Sequence, residues 1–133
     1  MKATIRLPWP PSVNHYWRSV RIGRAVRVLI SKAGRQYRKA VAAAVRERWP
    51  GLSVPTSHRL SVRISAVAPD RRSRDLDNLP KALFDALTHA GVWVDDSQID
   101  FYSIERRGFA RGGWVDLKIE VRNDATTLDQ ATG

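Results

Sequence analysis

The 133-residue chain has no cysteine, which excludes both a disulfide framework and a thiolate metal site. Its three histidines, His15, His58 and His89, are scattered, and none forms a ligand pair at helical spacing. No apolar run approaches the roughly 18 residues of a membrane span. The first eight residues, Met-Lys-Ala-Thr-Ile-Arg-Leu-Pro, lack the apolar centre of a signal peptide. The expectation is a soluble cytoplasmic protein with no membrane partner. Internal repeats and low-complexity linkers are also missing, so one domain is expected over residues 1–122, with a loose tail at 123–133.

Acidic residues are scarce in one region above all. Residues 18–48 hold ten basic side chains against the single Glu47, so this window carries +9 of the net charge of +10. Such segregation is an electrostatic footprint for a polyanion rather than a merely solvated surface. Arginine supplies 18 of the 23 basic residues, and its planar fork suits bidentate phosphate contacts.

Alternation and helical periodicity organise the rest. Ala3, Ile5 and Leu7 mark a first strand, and Pro8, Pro10 and Pro11 then stiffen the backbone around Trp9. Residues 12–23 read as an irregular loop. Tyr16 and Trp17 are open between packing and base stacking there, whereas Trp9 is assigned to packing. A second strand is expected at 25–30. Ser31 then caps a helix from Lys32 to Trp49, with Tyr37, Ala40, Val41, Ala44 and Val45 inward and Arg35, Arg38, Lys39 and Arg46 outward. Leu60–Ala68 alternate strictly as a strand. A second helix over 79–90 starts at the Asn78 cap and Pro80, and ends before Gly91. Residues 98–106 look extended, and a last strand buries Val115, Leu117, Ile119 and Val121. The expected fold is an α+β domain of order β-β-α-β-α-β-β, a mixed sheet with two main helices packed on it.

Residues 70–81, Asp-Arg-Arg-Ser-Arg-Asp-Leu-Asp-Asn-Leu-Pro-Lys, concentrate the chemistry. In an extended chain Asp75 and Asp77 would share one face, about 6–7 Å apart. Their repulsion, roughly 3 kcal/mol at about 5 Å and an effective dielectric near 20, becomes attraction when a divalent cation lies between them. Carboxylate oxygens favour Mg²⁺ or Mn²⁺ over zinc, and such an ion suits phosphate chemistry. Asp70 is assigned instead to the strand end, as a partner for the neighbouring arginines.

Three blocks carry a resemblance: Leu-Pro-Trp-Pro-Pro-Ser-Val-Asn near the start, Pro69 to Leu87 in the centre, and Gly-Val-Trp-Val-Asp-Asp-Ser-Gln-Ile from Gly91. In order and spacing the chain resembles the RusA family of Holliday junction resolvases, crossover junction endodeoxyribonucleases, over residues 5–121. The resemblance implies a homodimer that binds four-way junction DNA and nicks two strands symmetrically with Mg²⁺ or Mn²⁺. By position it implies catalytic and metal-binding roles for Asp75, Asp77 and Asp96, and a catalytic role for Lys81. Asp95 is an extra ligand or a supporting neighbour. Arg71, Arg72, Arg74, Arg35, Lys39 and Arg46 are the candidate DNA contacts. The chain departs from some relatives at Pro80, and residues 18–30 match only loosely.

Alternatives remain at this level. Lys81 could form an ion pair with Asp85 one turn on, worth about 0.3–0.5 kcal/mol. Asp96 starts beyond the far end of the second helix from Asp77, so it joins the site either by a tight return or from a second subunit. A non-catalytic structure-selective DNA-binding protein and an RNA-binding module are the competing functions, and neither needs a carboxylate cluster beside phosphate.

Overall fold

The computed structural model describes residues 2–122, so the expected tail at 123–133 lies outside the described residues. In chain order the elements are β1 (Lys2–Pro8), α1 (Val13–Tyr16), β2 (Trp17–Ile22), β3 (Ala25–Ile30), α2 (Lys32–Arg48), β4 (Leu60–Ala68), α3 (Leu79–His89), β5 (Ile99–Phe109) and β6 (Trp114–Val121). Short 3-10 turns at Leu76–Asn78 and Asp96–Gln98 precede α3 and β5.

Four strands form one mixed sheet in the order β1-β6-β4-β5. β6 is antiparallel to both neighbours, and β4 and β5 run parallel, which requires the crossover that α3 supplies. Alternation buries Ile5, Leu7, Leu60, Val62, Ile64, Val115 and Leu117. Tyr37, Val41 and Val45 of α2 and Leu79, Leu83 and Leu87 of α3 complete that core. Phe84 also joins it, edge-on to Trp93 with ring centroids 6.0 Å apart. On the opposite face Arg6 of β1 donates to Asp116 of β6 at 2.7 and 3.0 Å. The α+β class, the mixed sheet and the two main helices are those expected.

Local chemistry explains where α2 begins. The Ser31 hydroxyl accepts the Gly34 N–H at 3.0 Å, satisfying one of the donors that a helix start leaves free. Ala40, expected inward, is exposed, and so is Val121.

Two further expectations fail. Residues 12–23 are not an irregular loop, because they hold α1 and β2. β2 pairs with β3 from Trp17↔Ile30 to Ile22↔Ala25 as a separate antiparallel hairpin. Its two-residue turn, Gly23–Arg24, needs the positive φ of 63° that Gly23 adopts. Asn78 makes no side-chain cap to α3. The 3-10 turn before the helix already gives Asn78 a helical backbone, φ −77° and ψ −12°, whereas a capping residue needs an extended one. Tyr16 is fully buried, and Trp17 packs edge-on against it at 4.9 Å, so packing is the role of both.

Gly34 marks where the hairpin base meets α2. A Cβ there would collide with the Tyr16 carbonyl oxygen and lie 2.7 Å from Ile30 Cγ1. In an open helix Gly→Ala gains about 1 kcal/mol, but overpacking costs about 1–3 kcal/mol. Gly34→Ala is therefore expected to lower stability in urea denaturation, and a gain would contradict this packing.

Candidate active site and DNA interface

The charged stretch leaves β4 at Pro69 as an ordered loop. Asp70 accepts the Arg72 N–H at 2.9 Å and pairs with Arg74 Nη1 at 2.8 Å. The Arg74 guanidinium, then the Arg72 amide, pull the Asp70 pKa down to about 2. Arg74 also donates to the carbonyls of Asp70 and Arg72, each at 3.3 Å, and its own carbonyl accepts from Arg106 Nη2 at 2.8 Å. Arg74 thus braces the loop from inside, and Asp70 is the structural partner expected. Arg71 stacks on Phe109, 4.5 Å from the ring centre, and Arg72 projects into solvent.

Asp75 lies where two clefts meet. One, of about 230 Å³, is walled by Trp9, Arg71, Arg72, Arg74, Arg106 and Phe109. The other, of about 370 Å³, runs along Pro10, Pro11, Ser12 and Ser73. Trp9 therefore packs as expected and also shapes both clefts. Asp75 and Asp77 are exposed, and among the described residues neither carboxylate takes part in a hydrogen bond or ion pair. Asp77 sits in the 3-10 turn, so the extended geometry expected to set the pair on one face is not adopted. Hard oxygen donors without protein partners among the described residues, with Asp75 lining a basic cleft, suit a divalent cation.

Asp96 is elsewhere. Gln98 donates to the carbonyls of Thr56 and His58, both at 2.9 Å, and β5 starts with Ile99 opposite Leu60. The turn bearing Asp96 is therefore pinned at the beginning of β4, while Asp75 and Asp77 follow its end. The eight steps from Leu60 to Ala68 correspond to roughly 26 Å along the sheet. No tight return brings Asp96 across within one chain. Among the described residues no three carboxylate or imidazole groups gather closely enough to hold an ion. Asp95 is a capping residue: it forms a capping box with Gln98, and the Ser97 hydroxyl donates to its carboxylate. That bond holds the Asp95 pKa below the usual carboxylate value.

Lys81 is exposed in the first turn of α3. Its alternative partner is taken, because Asp85 accepts from Arg38 Nε at 2.9 Å and pairs with Arg38 Nη2 at 2.8 Å. The Tyr16 hydroxyl donates to the same carboxylate oxygen. Burial, then this bond to Asp85, raises the Tyr16 pKa. Charge-assisted bonds in a half-buried place are worth about 1.5–3 kcal/mol, far more than an exposed i,i+4 pair, so Asp85 turns inward and leaves Lys81 without an ion-pair partner among the described residues. Neither Arg38 nor Tyr16 was legible as its partner, since they lie 47 and 69 residues away in sequence. On α2, Arg35, Lys39 and Arg46 are exposed, and Arg35 donates to the Ile30 carbonyl at 3.2 Å.

The site sets carboxylates without partners among the described residues beside an arginine-walled cleft on a basic α+β domain, and comparison with known proteins supplies its class. The family described as "Endodeoxyribonuclease RusA" matches residues 8–122. The chain is an endonuclease and belongs to the RusA family. It is 43% identical over 118 residues to the crossover junction endodeoxyribonuclease RusA of Escherichia coli strain K12, covering 87% of this chain and 92% of that protein. The rusA protein of Enterobacteria phage 82 is 44% identical over 117 residues, covering 86% and 91%. The Shigella sonnei protein is 43% identical over 118 residues, covering 87% and 92%. No helix among the described residues is long and apolar enough to cross a membrane.

Two outcomes follow from this geometry. Asp85→Asn should cost about 2 kcal/mol in denaturant titration, since Arg38 and Tyr16 lose their shared acceptor. The Asp70 contribution is present above the ordinary carboxylate pKa and is lost as pH falls through about 2. The Arg72 amide shift should therefore titrate with a midpoint near 2 in NMR, and Asp70→Asn should abolish that titration.

Proposed function

We propose that the chain cleaves four-way junction DNA as a homodimer, by paired symmetric nicks, with Mg²⁺ or Mn²⁺ held between two copies. The observation that carries this is the separation of the aspartates. Asp75 and Asp77 stand free at one end of β4, and Asp96 is pinned at the other. In a C₂ pair each active site would combine Asp75 and Asp77 of one copy with Asp96 of its partner, giving two equivalent sites for two symmetry-related strands. The names of the relatives, which specify crossover junctions, support the substrate.

The residues divide the work. Asp75, Asp77 and Asp96 supply hard oxygen ligands, and a divalent ion held by them supplies the Lewis acidity that phosphodiester hydrolysis needs. Lys81, in the first turn of α3 four residues after Asp77, offsets negative charge developing on the phosphate. Arg71 and Arg72 at the cleft, with Arg35, Lys39 and Arg46 along α2, hold the flanking backbone. Arg74 contributes mainly by keeping the loop in shape. The proposal places this protein among soluble cytoplasmic enzymes of DNA recombination and repair.

Asp75→Asn and Asp96→Asn, each alone, should abolish cleavage of a synthetic junction with Mg²⁺ while leaving its binding largely intact. Mixing the two variants tests the shared site. In a mixed dimer one site carries both substitutions and the other carries neither. Random pairing should therefore return about a quarter of the wild-type sites, read as single nicks rather than paired cuts. No recovery on mixing, with subunit exchange verified by a tag, would place all three aspartates in one chain.

A further inference from the structure

The β2–β3 hairpin is unused by the site described so far, and its surface is unusual. Val26 and Val28 are each 65% exposed, Ile22 53% and Leu29 39%. Arg18, Arg21, Arg24 and Arg27 recur at every third position among them, and no acidic residue occurs from Trp17 to Arg46. Cross-strand partners share a face, so the register puts Val26 and Val28 with Arg21 and Ser19 on one side. Ile22 and Leu29 stand with Arg18 and Arg27 on the other. Both faces are therefore apolar and cationic at once. Among the described residues only the base, through Trp17 and Ile30, packs against the core.

A ribbon built this way matches one kind of partner. A protein groove would cover one face, and a second copy of so cationic a ribbon would be repelled. DNA meets both requirements: arginines take phosphates on either side, while branched apolar side chains enter where base stacking is interrupted. A branch point exposes such base-pair faces, and an intact duplex does not. The ribbon also leads through Ser31 directly into α2, whose exposed Lys32, Arg35 and Lys39 continue the positive track.

We infer that the β2–β3 hairpin is the branch-point wedge, its apolar side chains from Ile22 to Leu29 replacing base stacking at the crossover while its arginines grip the flanking strands. This rests on the junction reading above and adds the element that selects junction over duplex.

The test is binding in EDTA, where no strand is cut. Fluorescence anisotropy would compare a synthetic four-way junction with a linear duplex of the same arm sequence, and 2-aminopurine at the crossover would report unstacking. The paired substitution Ile22→Ser and Val26→Ser should lower the junction-to-duplex preference at least about tenfold. It should also remove the 2-aminopurine signal, with duplex affinity and Tm unchanged. Val28→Thr, which keeps side-chain shape, should weaken the same signal and carries the test should the double variant fail to fold. Arg21→Ala with Arg24→Ala should weaken both substrates and flatten the salt dependence. Wild-type preference and unstacking in the apolar variants would overturn the wedge alone, as would equal loss on junction and duplex. A wild-type chain with no junction preference would overturn the junction reading and the wedge together.

Discussion

The Arg38–Asp85 ion pair, closed by the Tyr16 hydroxyl, is the contact on which the arrangement of the helices depends. It joins α2 to α3 and fastens the one-turn helix before the hairpin to both. Half-buried and shared among three side chains, it outcompetes the local pairing that α3 alone would have made. Two consequences lie far apart in sequence. Lys81, at the start of α3, is left without an ion-pair partner among the described residues, and the hairpin base is seated through Tyr16 and Trp17 against the core.

A second constraint is the parallel pairing of β4 with β5. It sends the chain along α3 and back to the start of the sheet before β5 can begin, carrying Asp95 and Asp96 with it. The carboxylates at the two ends of β4 are thus held apart by a rigid strand that is paired on both sides. Little in the loops could shorten that distance, because Gln98 is bonded to two carbonyls at one end. At the other, Asp70, Arg74 and Arg106 lock the charged loop.

Much of this was legible in the residues themselves. β1, β4 and β6 each bury one face of a sheet, so Ile5–Leu7, Leu60–Ala66 and Val115–Ile119 alternate visibly. α2 and α3 carry apolar stripes at helical spacing. β2 escaped because Trp17–Ile22 buries neither face along most of its length. Arg18 and Arg21 fall on opposite faces, with Val20 and Ile22 beside Arg18, and no amphipathic signal results. The Asn78 cap failed because a 3-10 turn, which has no periodic signature, runs into α3. In the charged stretch, Asp75 and Asp77 stood out as candidates by composition and spacing, whereas Lys81 and the distant Asp96 rested on the family resemblance. The partners of Asp85 and Arg74 were not legible, since Arg38, Tyr16 and Arg106 reach them only through tertiary packing.

The pinning of Asp96 at the start of β4 also bears on how such an enzyme would be controlled. Under the proposed sharing of ligands, a lone chain carries an incomplete ion site and is harmless to DNA. Cutting capacity then rises with the square of the chain concentration while dimers are scarce. Half-assembled complexes, which would leave an unmatched break in one strand, are silent. A rigid strand of nine residues would in this way serve as an interlock, tying the first cut to the presence of the machinery for the second.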